Sequence, residues 1–250
     1  MSTYFDQLSS NVQVLENGAK KPAVRSFVDV PVTDKGVDTD AFIEAARGLA
    51  GIFGSSCPLL LPLPLQITEL NSTVRMRFVD VLGSAAFTMV QSDLNGNIKK
   101  INDRRHPKAD DPTFTAPETD TIEQLLASEK AEGKTTATEG LLWLLRAMNF
   151  TCKALQDNSA QLSESFTKSY TNTLRPFHNF VTGGIFRTAM LACPTRETFV
   201  TKLGTPKEKV EEQSKAWLDA LDAILKRLMA FFIAGKYFKV KDDAFGKVTA

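Results

Sequence analysis

The chain has 250 residues, with Lys+Arg 30 against Asp+Glu 29 and a formal net charge of +1 at pH 7. That length suits one domain with appendages and a sizeable core. Without a basic excess the chain is not expected to bind nucleic acid, and any membrane contact has to come from a local patch.

The start, MSTYFDQLSS, lacks the basic stretch and apolar run of a secretory leader, Ser2 stands where myristoylation needs glycine, and DAFGKVTA ends without a prenylation cysteine. Cys57, Cys152 and Cys193 lie far apart in no metal-like spacing, the pattern of reduced cytosolic thiols. A cytoplasmic protein is the expectation. Residues 1–24 read as a polar, flexible segment ahead of the domain.

From residue 40 the apolar spacing is helical, and no strand pair stands out. Phe42, Ala46, Leu49 and Phe53 repeat behind the cap candidates Thr39 and Asp40. Residues 54–77 hold a leucine run broken by Pro58, Pro62 and Pro64, too short and too interrupted to cross a bilayer, and read as an insertion. In SDLNGNIKK, Asp93, Asn97 and Lys100 stand at i, i+4 and i+7, on one helix face. Asp accepts hydrogen bonds and Asn both donates and accepts, a set suited to sugar hydroxyls; a solvated face or an Asn95-Gly96 turn fits the spacing equally.

Asp120 with Glu123 predicts a helix start, and Gly133 its end. EGKTT (132–136) lacks the first glycine and the strand of a phosphate loop. Thr136 with Glu139 predicts a capping box for a helix to about Gln156. That helix carries Leu141, Leu145, Met148, Cys152 and Leu155 on one stripe. Trp143, Ala147, Phe150 and Ala154 lie on a second, about 160–200° away at 100° per residue. Two apolar faces put a helix at the centre of a bundle, or set one face on a cavity.

Leu162, Phe166, Tyr170 and Thr173 mark the next helix, and residues 177–192 another, in which His178 shares a stripe with Val181, Ile185, Ala189 and Ala192. A histidine so placed points into apolar material and needs a hydrogen-bond partner, as any core histidine does. Phe180 falls on a different face, where a ring at a helix start meets solvent or a membrane interface. Residues 195–203 form a short helix ended by Gly204. Thr205, Pro206 and Glu208 then signal a long helix with the stripe Val210, Trp217, Leu221, Ile224, Leu228 and Phe231. No nucleophile–base pair and no His/Cys cluster has motif support, so no catalytic residue, metal or cofactor is expected.

Several of these segments together resemble the glycolipid transfer protein family, most of all its fungal members: LNGNIKK, ATEGLLWLLRAMNFTC and LRPFHNFVTGGIFRTAMLACPTRETFVTKLG in order, with YFD near the start and RSFVDVP at 25–31. The similarity covers about residues 25–53 and 78–235, within a domain read as 25–240 and a tail at 241–250. It implies an all-α, two-layer helical sandwich with an apolar lipid channel, and non-enzymatic transfer of glycosphingolipids between membranes. Asp93, Asn97 and Lys100 then resemble the family's sugar-binding set, and Trp143 its sugar-stacking tryptophan. His178, with Asp93, resembles the binder of the ceramide amide. Phe42, Phe150, Phe186 and Phe199 are expected to line the channel, and Phe180 to dock on the membrane in place of a tryptophan. The family's terminal tyrosine looks replaced by Tyr237-Phe238-Lys239-Val240 and ten further residues. A ceramide-1-phosphate carrier, which resembles this pattern but has arginine at the Trp143 position, and a glycolipid sensor acting through a protein partner remain alternatives.

Overall fold

The computed structural model describes residues 3–8, 24–52, 90–107, 119–191, 193–237 and 244–246. The expected insertion at 54–77, and Phe53 with it, lies outside them, as do residues 9–23. Helices are α1 (Tyr4–Leu8), α2 (Thr39–Ile52), α3 (90–105), α4 (Ile122–Ala131), α5 (Thr136–Gln156), α6 (Leu162–Asn172), α7 (Phe180–Leu191), α8 (Arg196–Leu203) and α9 (Lys207–Ala234). One small departure from the expected all-helical pattern is an antiparallel pair, β1 (Val32–Thr33) and β2 (Gly36–Val37). It is held from outside: the Glu123 carboxylate of α4 accepts the Val37 N–H at 2.8 Å.

The helices form two layers. In one, α5 packs on α6 and α9, and α4 closes against both α5 and α9. In the other, α7 lies on α6, α8 on α9 and α3 on α5, while α2 joins α3 through Arg105 to Asp40. Both stripes of α5 are buried or half-buried, because α6 and α9 cover it from two sides. The stripe of α9 goes to the core from Val210 to Leu228, but Phe232, fully buried, ends it, and Phe231 is only half-buried.

Helix starts correct several expectations. For α2 the cap is Asp38, whose Oδ1 accepts from Ala41 N at 2.8 Å. For α4 it is Thr121 with Gln124, a complete capping box one residue beyond the expected pair. Thr136 and Glu139 form no box. Instead Glu129 of α4, only 2% exposed, accepts Ala137 N, Thr138 N and Thr138 Oγ1 at 2.8, 2.7 and 2.6 Å. A carboxylate there satisfies orphan N–H groups and meets the positive end of the α5 dipole. Neither Thr205 nor Glu208 caps α9, which starts after Pro206 without a side-chain bond.

Short described stretches near both ends pack against the helices. Residues 3–8 belong to the core: Phe5 and Leu8 are buried, and Asp6 accepts from Lys209 and Gln213 of α9, both at 2.8 Å. In the tail, Ala244 and Phe245 are buried, and Phe245 packs edge-on against Phe232.

Candidate functional site

The site begins on α3. Leu94, Ile98 and Ile101 are buried in the core and hold the helix down. Helix continues through Asn95-Gly96, so no turn forms there. On the adjoining flank Asn97 Nδ2 donates to Asp93 Oδ2 at 3.2 Å, and Lys100 Nζ donates to Asn97 Oδ1 at 3.4 Å. The three, with Ser92 and Gly96, line a surface pocket of about 380 Å³. Asp93 is exposed at its rim, yet the surrounding protein raises its carboxyl pKa; the Lys100 charge and the Asn97 amide offset part of that rise.

Gly140 joins this flank to α5. A Cβ built there would lie 3.0 Å from the Asn97 carbonyl oxygen and 3.0 Å from Lys100 Cβ. Only a glycine allows the two helices to approach so closely without displacing one of them. Trp143, half-buried, follows one turn later on α5, on nearly the same face as Gly140. Gly140 had no place among the residues expected to form the site.

Beyond Trp143 stand Arg146 and His178. The Arg146 guanidinium lies 4.8 Å from the Trp143 ring centroid and 3.6 Å from that of Phe177. The His178 ring is nearly parallel to the Trp143 indole, with centroids 6.2 Å apart. His178 does not sit in a helix as expected. It is the extended residue after the 3-10 turn Arg175–Phe177, and α7 starts at Phe180 with Asn179 Oδ1 accepting Thr182 N. The expected stripe fails with it, since Val181 is exposed. The imidazole still turns inward: Nδ1 is 3.2 Å from Tyr170 Oη, and Phe186 lies 4.7 Å away, centroid to centroid. Burial, aided by the Arg146 charge, lowers the His178 pKa, so the ring is neutral at pH 7.

Behind His178 the apolar wall starts. Tyr170 stacks on Phe186 at 5.4 Å, and Phe150 meets Phe166, Tyr170 and Phe186 at 5.3, 6.3 and 6.0 Å. Two of the four expected channel residues, Phe150 and Phe186, thus come together beside the site. Phe42 and Phe199 are buried on α2 and α8 and have no ring contact with that pair. Phe180 is 96% exposed. Tyr237 stacks on Phe231 and lies under Lys130 of α4, so its contacts are not with Trp143; Phe238 falls outside the described residues.

The result is a track from a polar ladder, past a stacking plane and a neutral imidazole, to an aromatic wall. Such a track suits an amphiphile: hydroxyls at one end, an amide in the middle and hydrocarbon beyond.

A family model described as Glycolipid transfer protein (GLTP) matches residues 70–205. The glycolipid transfer protein of the fungus Aureobasidium melanogenum is 38% identical over 220 residues, 86% of this chain and 92% of that one. The crystal structure of HET-C2, a fungal glycolipid transfer protein, matches with a TM-score of 0.65 and 37% identity, covering 83% of this chain and 93% of that one. The mouse ceramide-1-phosphate transfer protein shares the fold alone, with a TM-score of 0.60 at 18% identity, covering 82% and 91%.

Proposed function

The chain belongs to the glycolipid transfer protein family, and from that membership we propose that it carries single glycosphingolipids between membranes without catalysing a reaction. One observation carries the reading: the hydrogen-bonding ladder Asp93–Asn97–Lys100 packs against Gly140 of α5, one turn before the half-buried Trp143. A sugar offers hydroxyls to the ladder and an apolar ring face to the indole. The neutral His178 imidazole, with Tyr170 at Nδ1, then presents Nε2 toward the ceramide amide. The lipid chains part the Phe150–Phe186 contact and enter between the layers, where apolar walls replace the bilayer.

Phosphate is disfavoured in the same site. A phosphate headgroup needs charged, forked donors, whereas the arginine nearest Trp143 lies over two aromatic rings and is bonded to a backbone carbonyl. Membrane contact is assigned to Phe180 and its exposed neighbour Val181. No described helix is long and apolar enough to cross a bilayer.

Vesicle-to-vesicle transfer tests the reading. Glucosyl- or galactosylceramide is expected to move, and ceramide phosphate to move much more slowly. Equal or faster transfer of the phosphate lipid overturns it.

A further inference from the structure

Among the described residues, Arg146 is a buried cation without an anion. It is 9% exposed, and among the described residues no carboxylate pairs with it. Its Nε donates to the Ala244 carbonyl at 2.9 Å. Its Cζ lies over the Phe177 ring, 3.6 Å from the centroid, and over the Trp143 ring at 4.8 Å. Burial alone pulls its pKa down to about 10, which leaves it charged at pH 7. A desolvated charge compensated by two π-faces and one carbonyl is costly, and each partner it has is correspondingly important.

The carbonyl comes from a turn that is itself fixed. Asn149, nearly one turn beyond Arg146 on α5, donates Nδ2 to the Phe245 carbonyl at 3.4 Å. Phe245 packs on Phe232 at 5.9 Å. Gly246 adopts φ +89°, and a Cβ there would meet the Asn172 carbonyl and come within 2.6 Å of Thr173 Cα, at the end of α6. The turn therefore docks on α5, α6 and α9 together through contacts that need glycine at its close.

We propose that Arg146 is a positioning residue for the headgroup site, clamped by the C-terminal turn Ala244–Gly246 so that it fixes the plane of the Trp143 indole and is withheld from anionic headgroups. The proposal rests on the glycosphingolipid reading for its ligand, but not for its geometry. Lysine is no substitute at such a position, because an ammonium has neither the flat face nor the fork of a guanidinium. In this scheme the tail selects headgroups without touching one.

The test compares the full chain, Arg146→Lys, Phe245→Ala/Gly246→Val, and the combination of both, each in a Trp217→Phe background that leaves Trp143 as the only tryptophan. Lipid-free Trp143 emission and transfer of glucosylceramide, ceramide and ceramide phosphate are read for each. The expectation is a changed emission and about five- to tenfold slower glucosylceramide transfer in both single variants, from the loss of one cation–π contact. The combination should be no worse than either alone, because both act through one clamp. Ceramide transfer should stay within about twofold, a margin of roughly 0.4 kcal/mol, and ceramide phosphate transfer should rise where the tail is loosened. Equal losses for all three lipids signify a merely structural role and overturn the proposal, as do additive effects or unchanged emission. The emission arm needs no lipid, so it stands apart: failure of the unaltered chain to move glucosylceramide refutes the functional reading, and unchanged Trp143 emission refutes the clamp. Where the background unfolds, Arg146→Lys in the native chain gives the lipid comparison directly.

Discussion

Replacing Gly140 by alanine sets two calculable effects against each other. Alanine in a helix interior is better than glycine by about 1 kcal/mol. Its methyl, however, would sit 3.0 Å from both Asn97 O and Lys100 Cβ and 3.2 Å from Lys100 Cδ. Carbon pairs are most favourable at roughly 3.5–4.0 Å, so α3 has to move off α5 by about half an ångström. Overpacking of that kind costs about 1–3 kcal/mol, for a net destabilisation of about 0–2 kcal/mol. The functional loss should be larger than the stability loss, because a binding constellation tolerates displacements of only about 0.5 Å. Gly140→Ala is therefore expected to keep a cooperative denaturant transition while its glucosylceramide transfer falls roughly tenfold, about 1.4 kcal/mol. Gly184→Ala is the control: nothing lies within 4 Å of a Cβ there, so propensity alone acts and stability rises by up to about 1 kcal/mol. A Gly140→Ala protein that is both more stable and fully active refutes the claim that close helix approach spaces the ladder from the indole.

Glu129→Gln turns an amide N–H₂ or a weaker acceptor toward three buried donors. It should cost about 2–3 kcal/mol, lowering Tm by roughly 4–12 °C in a domain of this size; a shift under 1 °C would show that water replaces the carboxylate freely. Because the folded His178 pKa is lowered, the unfolded chain takes up a proton that the folded one refuses. The contribution is full above about pH 6.5 and falls as pH drops toward the folded value. Denaturant midpoints at pH 7.5 and 5.5 should thus diverge more for the unaltered chain than for His178→Gln, and equal slopes would mean another group controls that window. Phe180→Ala removes a ring whose burial in a bilayer interface contributes about 1.5–3 kcal/mol. Vesicle partitioning should drop roughly ten- to hundredfold while binding of a short-chain soluble glycolipid holds; parallel loss of soluble-lipid binding would place Phe180 in the pocket.

Periodicity was enough for the helices, because each buries a stripe, and Val210, Trp217, Leu221, Ile224 and Leu228 all reach the core. It was not enough for their starts. Asp120/Glu123 and Thr121/Gln124 satisfy the same spacing, and distant partners decide between them. Asp120 is taken by Arg105, at 2.7 Å, and Glu123 by Arg227 and Val37 N, both at 2.8 Å, which leaves Thr121 and Gln124 for the cap. Glu129 similarly displaces the local box at Thr136 from seven residues upstream. The ladder of the site was legible because its three members share one helix face. Gly140 was not, since a helix-interior glycine reads as a weakness until a second helix is seen against it. Nor was the Arg146 clamp, because the carbonyl that holds it, Ala244, lies 98 residues away in sequence.

On the proposed reading, charge placement explains how one site could prefer a sugar to a phosphate while holding two cations. Lys100 is half-buried and shares its flank with Asp93, so an incoming anion meets a carboxylate as well as the ammonium. A hydroxyl has no such conflict: it donates to Asp93 and accepts from Lys100 or Asn97 in the same pose. Arg146 would tip the balance toward anions if it were free, because a guanidinium is the stronger phosphate ligand. Its bond to Ala244 and its contacts with the Phe177 and Trp143 rings engage it within the protein instead. Selectivity then depends less on which charged residues are present than on which of them already have partners.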